Sequence, residues 1–308
     1  MKRNVLQSVL SVVVSVAMVA TLTPSVAYAQ DAAAETEAVA EAEAEPALEP
    51  AAQAAEPAPQ AYAADSWLSQ ADTSWLKGPG TYEIATAAQL AGIASRVYEG
   101  QTLAGYSFYL VNNIDLAQLN ASGNVLRWET SPRYAFEGVI NGQGCSITGM
   151  TATSGRATLF GRVANAAFYN LEISGDPTAG VAAAFAGSAT NSTFQNCINT
   201  ATVTGTSETG LVGGLVGYAL RCSFFDCQNA GRVSGPARAA GGIVGEALGC
   251  EFEYCFNEQS VQGAPRAGGI IGTMALPSGI ATRTTLAQCA NQASVQGGQF
   301  AGGLIGLA

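Results

Sequence analysis

Seven cysteines and no histidine stand in a chain of 308 residues. The missing imidazole removes a Ser-His-Asp triad, a Cys-His dyad and the usual zinc hydrolase ligands. What remains for chemistry is thiol, carboxylate and amide. Four cysteines recur in one frame: an apolar residue, then Cys at three, Asn at five, Val at nine and Gly at eleven. The copies are Phe194-Cys197-Asn199-Val203-Gly205, Phe224-Cys227-Asn229-Val233-Gly235, Phe252-Cys255-Asn257-Val261-Gly263 and Leu286-Cys289-Asn291-Val295-Gly297. A thiol recurring at one apolar register behaves as a small buried hydrophobe rather than a nucleophile. Leu171 falls at the same place in a weaker copy that begins at Phe168, so the register asks for an apolar side chain. Cys222 and Cys250 share a second register, each five residues before a ladder cysteine. One strand spacing would separate their Cα atoms, within disulfide range, which makes them a candidate bridge.

Carboxylates offer the other chemistry. Asp226, Glu251 and Glu253 are the best acid cluster for glycan cleavage, which needs two acids converging in one groove. The place of Asp226 is taken by Asn196, Tyr254 and Gln288 in other copies, and Glu251 and Glu253 flank Phe252 on the outward alternation of a strand. A solvated face is the simpler reading, and no catalytic residue is assigned. No metal or cofactor is expected: the C-x4-C pairs reflect repeat geometry, and Asp115 in Asn112–Leu116 reads as a turn residue rather than a calcium ligand.

Stepping from residues to elements, the clauses GGLVG (Gly213–Gly217), GGIVG (Gly241–Gly245), GGIIG (Gly268–Gly272) and GGLIG (Gly302–Gly306) are spaced by 28, 27 and 34 residues. Such a period denotes a stacked repeat. Short apolar strands, expected at Ser223–Cys227, Arg232–Ser234 and Gly242–Val244, alternate with Gly/Asn/Ser turns. Three strands per coil suit an all-β fold, a parallel β-helix. Phe, Cys and Val then form inward ladders, and the asparagines Asn199, Asn229, Asn257 and Asn291 stack at a corner and bond along the column. Residues 82–98 read as an amphipathic helix with Leu90, Ile93, Ala94 and Val97 on one face and a capping box at Thr86–Gln89; it is placed as the solenoid's N-terminal cap. Trp67, Trp75, Tyr62 and Trp128 are read as its plug, with a carbohydrate-stacking surface as the alternative. Arg238 and Arg266 are placed in solvated loops.

The chain divides into a signal peptide (1–29), a disordered acidic linker (30–65), a cap with first coils (66–150) and repeats (151–308), expected to continue in further coils. Lys2 and Arg3, the apolar run Val9–Leu22 and Ala27-Tyr28-Ala29 have the order of an export signal, with an uncleaved anchor as the alternative. Contact with a membrane is expected only through that segment. The linker holds nine acids and no base, whereas residues 66–308 hold 14 acids and 11 bases. The chain's acidity therefore denotes a self-repelling spacer, and the folded part is not basic enough for nucleic acid.

These motifs together resemble the GLUG-motif repeat proteins of bacterial surfaces. The resemblance rests on Tyr82-Glu83-Ile84 with Thr86, Gln89 and Leu90; on Asn113–Leu116; on Phe136–Gly144; on Leu159-Phe160-Gly161; and on Asn196–Asn199 with the glycine clauses. It departs at Arg127–Pro132. The resemblance implies a right-handed parallel β-helix, a secreted or wall-attached protein and a role in adhesion or as a stalk, with a host or bacterial surface glycan or protein as ligand. The same repeats occur in non-catalytic regions of IgA-specific metallo-endopeptidases, so an accessory region of a secreted protease is an alternative, as is a polysaccharide-degrading β-helix. The insertion Met274–Thr285, which lengthens the third period, is the expected binding loop.

Overall fold

The computed structural model describes residues 66–119, 130–131, 133–152, 156–275 and 283–308. The expected signal and linker segments, Tyr62, Trp128 and residues 276–282 of the expected binding loop lie outside them.

Nearly every described element is a short parallel strand, and the strands stack into a β-solenoid of about six turns. They form one long sheet and two six-stranded sheets. The repeat frame sets the register: Phe168, Phe194, Phe224, Phe252 and Leu286 pair in one column, and Gly213, Gly241, Gly268 and Gly302 in another. Matched residues therefore sit one strand spacing apart, about 4.8 Å. The phenylalanine rings stack at centroid distances of 5.1, 4.9 and 4.7 Å within 6° of parallel. Each buried ring contributes roughly 1.5–3 kcal/mol.

A coil holds five short strands rather than three. The expected Ser223–Cys227 strand splits into Ser223–Phe225 and Gln228–Asn229, and Gly242–Val244 is replaced by Ala239–Gly241 and Val244–Leu248. The split lies at Asp226, whose φ is 51°. Asn170, Asn196, Tyr254 and Gln288 share that left-handed conformation at the matched position. A second left-handed column comprises Asn165, Asn191, Arg221 and Gly249. The two kinks turn the chain where a strand pattern read from sequence would run straight.

The glycine clauses allow two sheets to meet. A Cβ on Gly213, Gly241 or Gly268 would overlap the carbonyl of Val216, Val244 or Ile271, three residues on. Glycine is needed here for close backbone approach, since none of these three has positive φ.

The helix runs Ala87–Tyr98, shorter than expected because Gly80–Ile84 is the first strand of the stack. Thr86 Oγ1 accepts from Gln89 N at 3.2 Å, and Gln89 Oε1 accepts from Ala85 N at 2.8 Å. Leu90, Ile93, Ala94 and Val97 are buried in the same core as Ile84 and Phe108. Trp67 is buried, and Trp75 packs edge-on against Tyr82 and Phe108. Both tryptophans belong to the plug.

Candidate functional site

The recurrent polar residues face inward. Asn199 Nδ2 donates to Asn229 Oδ1, Asn229 Nδ2 to Asn257 Oδ1 and Asn257 Nδ2 to Asn291 Oδ1, each at 2.6 Å. Every one of these amides also donates to the carbonyl two residues ahead: Ala201, Gly231, Gln259 and Ala293. Both amide hydrogens of Asn199, Asn229 and Asn257 are thus used, which is how a side chain with no exposure stays satisfied.

Of the ladder cysteines, Cys197, Cys227 and Cys255 are buried and Cys289 is partly exposed. Cys197, Cys227, Cys255 and Cys289 each direct Sγ–H toward the Phe carbonyl of the preceding coil, at Phe168, Phe194, Phe224 and Phe252, over 3.3–3.6 Å. Burial pushes the Cys227 thiol well above the ordinary range. Cys255 and Cys289 are pushed up first by sharing a hydrogen bond with the preceding thiol, and further by burial. Cys227, Cys255 and Cys289 are therefore held as thiols rather than thiolates.

The candidate bridge between Cys222 and Cys250 is a correction: all seven cysteines are free. Their Sγ atoms face the carbonyls of Leu220 and Leu248 at 3.4 Å, and Cys222 N donates to Cys250 Sγ at 3.4 Å. In-register parallel neighbours point their Cβ atoms the same way, and a disulfide needs them turned toward each other.

Outward columns vary from coil to coil. Beside the constant Phe column run Tyr169, Gln195, Phe225, Glu253 and Ala287. Phe225 and Tyr254 are exposed (39% and 37%) and meet edge to face with centroids 5.5 Å apart. Asp226, Glu251 and Glu253 surround them, all exposed on an open sheet face. These acids do not converge on an enclosed groove, as a glycosidase pair must. Asp115 accepts Ala117 N at 3.0 Å through Oδ1, closing an Asx turn. Among the described residues no group of three or more His, Cys, Asp or Glu is placed to hold a metal.

On another side the six-stranded sheets fold toward each other along the glycine column and form a crease. One wall carries Arg162, Ser188, Tyr218, Glu246 and Thr273 in register, and the other Arg156, Val181, Leu211, Ala239 and Arg266. Arg238 sits before a strand, partly exposed, and is paired: its Nη2 donates to the Glu246 carboxylate at 2.8 Å. Arg266 opens a strand rather than sitting in a loop, and is partly buried. Burial, and then the Glu246 charge, raise the Tyr218 phenol above its usual range. The crease was not singled out from sequence. Its signal was the place of Arg156 and Arg162 on either side of Leu159-Phe160-Gly161, once that clause is aligned with the later glycine clauses.

No protein-family model and no curated protein matches the chain, so the GLUG likeness remains a likeness of motifs. Among solved structures the chain is similar to a protein of Bacteroides ovatus provisionally named an immunoglobulin A1 protease. The two are 18% identical, with 73% of this chain and 81% of the other covered and a TM-score of 0.43. A likeness at that level carries no argument about what the present chain does.

Proposed function

We propose that the chain is the non-catalytic repeat module of an exported bacterial surface protein, serving adhesion and carried away from the cell by its acidic spacer. One observation carries this reading. The inward columns (Phe, Cys, Asn, Val and the clause glycines) hold one residue type over successive coils, while the outward column beside Phe reads Tyr169, Gln195, Phe225, Glu253 and Ala287. A constant inside makes a rigid scaffold, and a varied outside is a surface free to be fitted to a ligand. The exposed Phe225–Tyr254 pair suits such a surface, since aromatic groups dominate binding hot spots. The test is incubation of the full chain with surface glycans, glycoproteins and soluble polysaccharides. Saturable binding with no released product is expected. Shortened polysaccharide would overturn the non-catalytic assignment.

A further inference from the structure

Among the described residues, the first coil of the crease contains two like charges without a counterion. Arg156 and Arg162 stand on opposite walls, joined through the bend at Thr158 and Leu159. The Arg156 guanidinium lies across the glycine floor, with Nη1 3.4 Å from where a Cβ on Gly187 would stand. Both arginines are partly buried. Burial, and then the neighbouring Arg162 charge, lower the Arg156 pKa. Among the described residues, the ion pairs are Arg96–Glu99 and Arg238–Glu246; no carboxylate lies within ion-pair range of Arg156 or Arg162. Two guanidiniums on facing walls, partly out of water and with no acid in ion-pair range among the described residues, cost stability unless a ligand neutralises them. Guanidinium forks match a planar or tetrahedral oxyanion.

We infer that Arg156 and Arg162 bind the carboxylate or sulfate of an acidic glycan laid along the crease. This rests on the adhesion reading and names its ligand class. Three features favour a sugar chain over an acidic peptide. The walls beyond the arginines offer the Ser188 hydroxyl and the half-buried Tyr218 phenol for sugar hydroxyls. Val181 and Leu211 provide an apolar strip for the C–H face of a ring, with Val181 Cγ1 3.4 and 3.2 Å from Cβ positions at Gly187 and Gly217. The coil rise of about 4.8 Å is close to the length of one pyranose unit, so successive sugars fall on successive coils. Farther along, Glu246 answers Arg238 and Arg266 stands singly on its wall, so the two facing cations lie at the first coil. The folded part as a whole is slightly acidic, so a general polyanion surface does not explain the pair.

The experiment titrates the full chain with oligogalacturonate, a sulfated oligosaccharide, a neutral oligosaccharide of equal length and polyglutamate. The proteins are wild type, Arg156→Gln, Arg162→Gln, the double variant and Arg221→Gln as a basic control outside the crease. Binding of an acidic oligosaccharide is expected, weakened about tenfold by each crease substitution and unchanged by Arg221→Gln. The double variant should show no fall in Tm, because removing an unpaired charge pair relieves repulsion. Which acidic sugar binds distinguishes carboxylate from sulfate. No acidic-oligosaccharide binding, equal binding by the double variant, or arginine-dependent binding of polyglutamate alone would each overturn the inference. The last result would point to an acidic peptide such as the chain's own spacer. If the chain still binds other surfaces, the adhesion reading survives the failure of this one; released product would sink adhesion instead.

Discussion

Asn229 shows how one residue type can hold three coils. Its amide donates upward to Asn257 and to its own Gly231 carbonyl, and its oxygen accepts from Asn199. Replacement by Ala strands a donor, an acceptor and a carbonyl inside the core, where each unmade bond costs about 1–3 kcal/mol. Asn229→Ala should therefore lose about 3 kcal/mol or more in urea unfolding, and Asn291→Ala, with a part-buried partner set, visibly less. The cysteines give a second prediction at this scale. Buried Cys197, Cys222, Cys227, Cys250 and Cys255 should react with a thiol reagent only on unfolding, after partly exposed Cys145 and Cys289. Since folding raises the pKa of Cys227, Cys255 and Cys289, the stability tied to them is whole below the unfolded thiol's pKa near 9. It is lost as pH climbs beyond that value toward the folded pKa. Thermal melts at pH 7, 9 and 10.5 should show Tm falling above pH 9, with a smaller fall in Cys227→Ala.

At the scale of elements, the kinks and clauses set which substitutions are tolerated. Arg221 takes the left-handed conformation that Asn165, Asn191 and Gly249 hold at the same position. Asparagine bears that backbone more readily, so Arg221→Asn should stabilise the protein by about 1 kcal/mol, read as a higher denaturation midpoint. Gly241→Ala does the reverse. Its Cβ would overlap the Val244 carbonyl and come 2.7 Å from Gly272 N, and a loss of about 3 kcal/mol is expected by the same assay. The helix's cap was legible from the Thr86–Gln89 spacing and its buried face from the 3.6-residue period, though the reading from residue 82 ran into the strand Gly80–Ile84. The kinks were less so: aspartate, tyrosine and glutamine at one matched position share no chemistry, only a backbone angle that stacking imposes on all of them.

For the whole molecule, contacts run mainly between neighbouring coils, so damage should spread by proximity. Thr86→Ala, which removes a cap bond worth about 1 kcal/mol, should speed amide hydrogen exchange over residues 84–110 and leave residues 212–261 unchanged. Equal acceleration throughout would mean that the stack unfolds as one unit. Asp226, Glu251 and Glu253 are exposed along the long sheet, while Arg156, Arg162, Arg238 and Arg266 belong to the crease, Arg238 against Glu246. Which side each takes follows from the columns that folding turns outward and from the walls the glycines bring together.

The sequence by itself determined the solenoid, its register, the inward Phe, Cys and Asn columns and the capping helix, because each is a local period or cap that stacking repeats. Only the tertiary structure decided that Cys222 and Cys250 remain thiols, that Arg238 is paired and that Arg156 and Arg162 share one cleft. Those outcomes depend on Cβ direction and on how two sheets close across glycine, and neither is encoded in the spacing of residues along one strand.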